Sequence, residues 1–396
     1  MRIFINELKK IFNLKNILVL LLINVALYFL FVEFDIEYFP NGRPENDAYR
    51  IGVSIINEKG NNLKDEDTNY LCKMKENMRK KANDYLKNNE KAKKLNIKDY
   101  VNFEEERSKA QGARSKDLEN FHDDIFFKDG VNVFWELQTI DYYINNFKYK
   151  EERLKVLQTE EDHFKFSQTK KAYKDRLNEI RKNKSQNSIL PWFVFENYNN
   201  LIRYSSIAII ISIIFMIAPI FTRDARNSLE LLQYTTRKGR NLYKDKIKTA
   251  IIASLIIMTI QLGVLSFLYT TRTYSVNMFY NSNINSCFTG YLFWVNITFI
   301  QYIILTGVLL YIVGIIVTLI TCYVSRKISN YMPLIGTLIP VSVFLIYITK
   351  SVIVNIVGII GVFKYKVPII IAVLTLISTT SVVTRYRKEK KIDIVL

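Results

Sequence analysis

Apolar positions along this chain gather into long blocks separated by polar ones. A bilayer core of about 30 Å is crossed by roughly 20 apolar residues in a helix. Six windows reach that scale: Asn16 to Val32, Tyr204 to Thr222, Thr249 to Tyr269, Thr298 to Val324, Tyr331 to Ile348 and Val367 to Thr384. The pattern predicts an all-α polytopic membrane protein with six transmembrane helices. Ahead of the first window, "MRIFINELKKIF" places Ile3, Phe4, Leu8, Ile11 and Phe12 on one helical side and Asn6, Glu7, Lys9 and Lys10 on the other. That spacing suits an interfacial helix over residues 1–15.

Between the first and second windows lie about 165 residues of Lys, Glu, Asn and Asp with apolar positions at helical spacing. Leu71, Met74, Met78, Ala82 and Tyr85 form one series, and Val133, Leu137, Ile140, Ile144 and Phe147 another. Residues 35–200 are therefore expected to be an inserted, mainly helical domain that folds by itself. One stretch, "YRIGVSIIN" from Tyr49, alternates and predicts a short strand. "SVIVNIVGIIGVF", Ser351 to Phe363, is apolar but too short to cross, so a re-entrant or interfacial hairpin on the outer side is expected over 349–366. Gly358 and Gly361 would permit its break.

Charge orients the spans. The chain has 55 Lys and Arg against 37 Asp and Glu, a formal net charge of +18. Lys9, Lys10 and Lys15 precede the first span. Arg223, Arg226, Arg237, Lys238, Arg240, Lys244, Lys246 and Lys248 lie between the second and third, Arg326 and Lys327 follow the fourth, and Arg385, Arg387, Lys388, Lys390 and Lys391 follow the sixth. All fall on one face, which the positive-inside rule makes cytoplasmic, with both termini. The inserted domain is then extracytoplasmic. The first span reads as an uncleaved anchor, because "VEFDIEYFP" after it offers no small-residue cleavage site. The basic residues flank spans and accompany no nucleic-acid motif, so nucleic acid is not an expected partner.

Candidate chemistry is sparse. Cys72, Cys287 and Cys322 form no CxxC pair; Cys72 and Cys287 share a side of the membrane, which leaves a bridge between them open, and three free thiols are the simpler expectation. His122 in "FHDD" and His163 in "EEDHF" have acidic neighbours, but adjacent residues on a helix point to different faces, so solvated histidines are expected rather than a metal site. No catalytic constellation, nucleophile elbow, HExxH or phosphate loop is present, and no cofactor is implied.

The segment from Arg223 to Lys248, "RDARNSLELLQYTTRKGRNLYKDKIK", joins two spans directly. It reads as a short helix, a glycine turn and a second helix, with Ala225, Leu229 and Leu232 on one stripe and Ser228, Leu231 and Thr235 on an adjacent one. This segment resembles the cytosolic loop between the second and third spans of ABC-2 type transporter permeases, the membrane subunits of ATP-binding cassette exporters. Asp224, Asn227–Ser228, Leu231–Leu232, Thr235–Thr236, Gly239–Arg240 and Lys246 stand at the positions of that pattern, with Asp in place of the commoner Glu and Asn within the small pair.

The interfacial helix, the six spans and an outer hairpin before the last span fit the same family, of which one subset carries a large outer domain. The resemblance implies a coupling loop over 223–248 that docks on a separate ATPase subunit through Asp224, Leu229, Glu230, Leu231, Leu232, Thr235, Arg237, Gly239, Arg240 and Lys246. It also implies a second copy or a related permease as partner in a bacterial cell membrane, with Gly307 and Gly314 available for close packing. The function it implies is export of an amphipathic or hydrophobic cargo (peptide, antibiotic or lipid) driven by ATP that the partner hydrolyses. The alternatives are an ion-coupled secondary transporter, disfavoured because the spans hold Asn24, Gln261 and Gln301 but no central charged residue, and a membrane sensor or scaffold.

Overall fold

The structure is a computed structural model that describes residues 2–109, 115–159, 167–226, 241–360 and 362–390. Every long element in it is a helix. In chain order these are α1 (Arg2–Ile11), α2 (Leu14–Glu37), α3 (Glu45–Lys59), α4 (Thr68–Asn88), α5 (Glu90–Lys94), α6 (Tyr100–Ser108), α7 (Lys116–Asp123), α8 (Asn132–Lys148), α9 (Lys150–Thr159), α10 (Ser167–Lys182), α11 (Trp192–Arg226), α12 (Leu242–Arg272), α13 (Phe299–Lys327), α14 (Tyr331–Val354) and α15 (Lys366–Lys390). Six of them, α2 and α11 to α15, are long and apolar enough to cross a membrane. Among the described residues no strand forms, only isolated bridges. The architecture is that of an all-helical, multi-pass membrane protein.

Consecutive long helices run up and down. At one end, α1, the end of α11 and the start of α12 meet through Glu7, Asp224 and Lys246, and the ends of α13 and α15 through Arg326 and Glu389. At the other, Asn197 of α11 donates to Asp35 O, Thr273 to Ile36 O, and Tyr302 to Val354 O. The first end carries the basic clusters. The second carries exposed aromatics, among them Tyr38, Trp192, Tyr274, Tyr291 and Tyr365, the composition of a membrane interface.

Small residues decide which helices are central. In α11 and α13 the most apolar window is 61% and 50% buried, against 6% in α2 and 11% in α15. Ser205, Ser206 and Ser212 on α11, and Gly314, Thr318 and Thr321 on α13, are buried and let backbones approach. A Cβ on Gly314 would collide with Met258 of α12. Gly314 therefore packs within the chain and is not free for a second unit; Gly307 meets nothing within 4 Å. Asn24, Ser212 and Gln261 tie α2, α11 and α12 at mid-span: Gln261 Nε2 donates to Asn24 Oδ1 at 2.6 Å and to Ser212 Oγ at 2.7 Å.

The inserted segment contributes to three cores, one of which joins Leu154, Tyr173, Leu177 and Ile180 to Trp294 of the α12–α13 connection. Ala82, Leu86, Phe103, Phe121, Phe134 and Leu137 belong to a core whose buried members all lie within residues 82–137. Nearer the spans, Tyr49, Ile55, Tyr143 and Phe147 share one core with Phe279 and Phe288 of the α12–α13 connection and with the spans themselves. Only the core within residues 82–137 is private to the insertion.

One expectation is corrected here. Residues 49–57 are helical, inside α3, and not a strand. From Asp47 to Ile56 all but Arg50 and Ser54 are buried, so the helix is enclosed nearly all round and has no polar face to impose a 3.6-residue period. Within the segment 349–366, residues 349–354 complete α14, and the chain then turns with Gly358 at φ +59°. Trp294 N donates to Gly358 O and Ile360 N to Leu292 O, so the turn is pinned to the α12–α13 connection.

Gly52 marks the tightest approach in α3. A Cβ there would overlap Tyr143 Oη, which is fully buried and donates to Ala48 O at 2.7 Å. Gly52→Ala is expected to lower stability by about 1–3 kcal/mol through overpacking, read as a fall in the melting temperature of detergent-purified protein. Adding Tyr143→Phe should restore part of the loss; a double variant no better than the single would show that the hydroxyl is not the obstruction.

Candidate functional site

Asp224 and Lys246 stand 22 positions apart, one near the end of α11 and one in the first turns of α12. α11 ends irregularly because Pro219 lacks an N–H and cannot continue the hydrogen-bond ladder. Ser325 of α13 compensates, donating to Ala218 O at 2.5 Å and accepting from Phe221 N at 3.4 Å. Thr222 Oγ1 reaches Ile328 O at 3.2 Å. The last turns of α11 are thus held against α13, and Asp224 faces inward.

There Lys246, 2% exposed, meets it. Lys246 Nζ lies 2.5 Å from Asp224 Oδ2, 2.7 Å from Ile220 O and 3.9 Å from Glu7 Oε2, and sits 5.1 Å from the centre of the Phe221 ring. Lys10 Nζ completes the group, 2.6 Å from Glu7 Oε1 and 3.7 Å from Asp224 Oδ1. Arg223 donates to Lys10 O at 3.4 Å. Among the described residues, two carboxylates and two ammonium groups from three helices thus meet in one cluster. A buried charge is tolerated only when so paired.

Glu7 is a correction to the helical reading of α1. It is buried, at 6% exposure, although it was expected on the polar side. Four residues separate it from both Ile3 and Ile11, so it lies on the apolar stripe, and Lys10 at 2.6 Å with Lys246 at 3.9 Å makes its burial tolerable. The sequence held one signal: Glu7 is the only acidic residue before Glu33.

A second group braces the same end. Arg326 at the end of α13 makes a bidentate pair with Glu389 of α15, Nε to Oε1 at 2.8 Å and Nη2 to Oε2 at 3.0 Å, and Arg385 Nε also reaches Oε1 at 2.8 Å. Arg326 lies 5.9 Å from the Phe221 ring, Phe221 packs on Tyr243, and Tyr243 stacks on Tyr386. Sequence reasoning named Arg326 and Arg385 only as orienting charges and did not single out Glu389. Fixed geometry of this kind is what planar guanidinium–carboxylate pairing supplies.

Of the ten loop residues singled out from the sequence, Asp224 and Lys246 are brought together as described. Leu229, Glu230, Leu231, Leu232, Thr235, Arg237, Gly239 and Arg240 lie outside the described residues. The described arrangement is a clamp: it holds the two ends of the connection at a fixed separation and ties both to α1.

Elsewhere the candidates stay modest. No cluster of His, Cys, Asp and Glu able to hold a metal occurs among the described residues. His122 lies beside Asp123 and against the Phe126 ring, and His163 is outside the described residues. Cys72 is exposed while Cys287 is buried, and both are free thiols. Burial pushes the Cys287 thiol up to about 12, which keeps it from forming the reactive thiolate.

The fold and the clamp thus define a class: a six-span helical membrane protein whose second and third long helices are braced together at one end. Comparison with protein-family models, curated proteins and solved structures finds no match to this chain.

Proposed function

We propose that the chain is the membrane-spanning permease subunit of an ATP-binding cassette exporter. The basic end is cytoplasmic, the inserted segment is extracytoplasmic, and the 223–248 connection couples a separate ATPase to the spans. The observation that supports this most is the clamp. A loop that only anchors to lipid needs positive charge and nothing more. Here its two flanks are locked by a buried Asp224–Lys246 pair to each other, to α1 and, through Phe221 and Ser325, to the central helix α13. A push on such a connection reaches the core of the bundle.

On this reading the chain carries no catalytic residue, takes no cofactor, and works with a second copy or a related permease, since six spans supply half of the family's usual pathway. The cargo is amphipathic or hydrophobic. An ion-coupled transporter is less well supported, because the mid-span polar group, Asn24, Ser212 and Gln261, contains nothing that titrates.

Affinity purification of the tagged chain from its own membranes tests the reading. It should retain a soluble-domain ATPase carrying a phosphate-loop motif, in near-stoichiometric amount. Recovery of the chain without any nucleotide-binding subunit, under mild detergent and at several salt concentrations, would count against it.

A further inference from the structure

A cleft of about 690 Å³ opens where the inserted segment meets the α12–α13 connection. Its size is that of a ligand site, but its lining is not the usual apolar one. Asn62, Asn183, Asn187, Asn281, Asn283 and Asn296 line it, brought together from three separate stretches of chain. The single large apolar residue in the wall, Leu63, is buried, and no aromatic ring lines the space. Charge is balanced: Lys64 and Lys184 face Asp65 and Glu66. Asp65 is held below the usual carboxylate range by its hydrogen bond from Lys150, at 2.8 Å.

The walls are built, not loose. Ser188 Oγ donates to Asn62 Oδ1 at 2.8 Å and accepts from Asn283 N at 2.7 Å, joining all three stretches. Asn296 Oδ1 accepts from Ser185 Oγ at 2.9 Å and from Asn283 Nδ2 at 2.7 Å. Isolated antiparallel bridges, Asn62 with Ser188 and Asn283 with Thr298, flank the space. These bonds consume the amide oxygens of Asn62 and Asn296 but leave their Nδ2 donors with no protein acceptor among the described residues. The side chains of Asn183 and Asn281 likewise bond to no described protein group, and both are exposed. The cleft therefore presents free amide donors together with whole amides.

The chemistry of the ligand follows from what the lining lacks. An apolar molecule gains no buried apolar contact there, and an ion of either sign meets balanced charge. A saccharide would find hydrogen bonds but no ring on which to stack its C–H face. A primary amide carries the same donor and acceptor as a peptide group, so it pairs with main chain whatever the side chains are. We propose that this cleft binds an extended, neutral peptide segment by its main chain, with little preference for sequence. This goes beyond the export reading and does not depend on an ATPase, so the two fail separately.

The test uses the full chain alone in detergent. The probe is a fluorescein-labelled neutral hexapeptide of serine, threonine and alanine, followed by anisotropy. Saturable binding is expected, with Asn183→Leu/Asn281→Leu weakening it about tenfold or more, as loss of two or more hydrogen bonds at about 1 kcal/mol each requires. Both side chains are exposed and bond to no described residue, so this variant should fold; an unchanged melting temperature checks that. A backbone N-methylated hexapeptide should compete about tenfold less well than its parent. Absence of saturable binding, equal binding by the double variant or the N-methylated peptide, or displacement by maltohexaose would each overturn the proposal.

Discussion

Lys246→Met is expected to destabilise the protein by about 3–5 kcal/mol, because it removes one partner from a buried ion pair and leaves the others in place. Methionine keeps most of the stem's length and bulk, so packing against Phe221 is largely retained. What is lost is the ammonium that Asp224, Glu7 and Ile220 O share. Glu7 and Asp224 are 6% and 4% exposed, too little for water to take over that role. The measurement is thermal unfolding of the purified chain, with limited proteolysis of the N-terminal helix beside it. Lys246→Met/Asp224→Leu should recover much of the loss, since removing both partners of a buried pair costs far less than removing one. Wild-type melting in the single variant would mean that the pair does not hold this junction.

The same variant separates stability from use. Because α1 touches the clamp through Glu7 and Lys10, its loosening should expose α1 to protease before the six spans unfold. The mid-span ties and the Arg326–Glu389 pair do not involve Lys246 and should persist.

The six spans were legible because crossing a bilayer demands apolar length, and that demand is local to each stretch of sequence. Their ends were less so. α11 begins at Trp192, well before the apolar run at Tyr204, because Asn197 and Asn199 are buried against partners in α2 and α13 and so stay helical despite their polarity. The α3 helix was hidden by its own enclosure, which erased the period that distinguishes helix from strand. Glu7 could be seen as an unusual acid with Lys10 in reach, but not as a buried one, since the α11 and α12 ends that cover it, with Asp224 and Lys246, lie far along the chain. Asp224 and Lys246 stood out as positions of a family pattern, yet nothing in their spacing said that they touch each other. The cleft could not be foreseen at all: its asparagines read as ordinary polar linkers until three stretches converge.

The second large effect concerns the connection itself. Its stripe, Ala225, Leu229 and Leu232, can be covered by a protein groove, and Asp224, Glu230, Arg237 and Arg240 carry both signs of charge. The clamp takes Asp224 inward, and Glu230, Arg237 and Arg240 are the charges proposed for a partner to read. Reversing a charge that is desolvated in a complex costs about 2–5 kcal/mol, which is a loss of roughly thirtyfold or more in affinity. Glu230→Lys and Arg240→Glu should each weaken the ATPase complex on that scale, and Leu232→Asp should do so by placing a charge in an apolar contact. Membrane level and melting temperature are measured for each variant beside wild type, so that lost retention is read as a lost contact only where both are unchanged. The decisive measurement is co-purification of wild type and these three variants with the ATPase, scored as ATPase retained per permease. The account predicts near-stoichiometric retention by wild type and a large loss in all three variants at unchanged membrane levels. Equal retention by all four would contradict it and leave the connection as a lipid anchor.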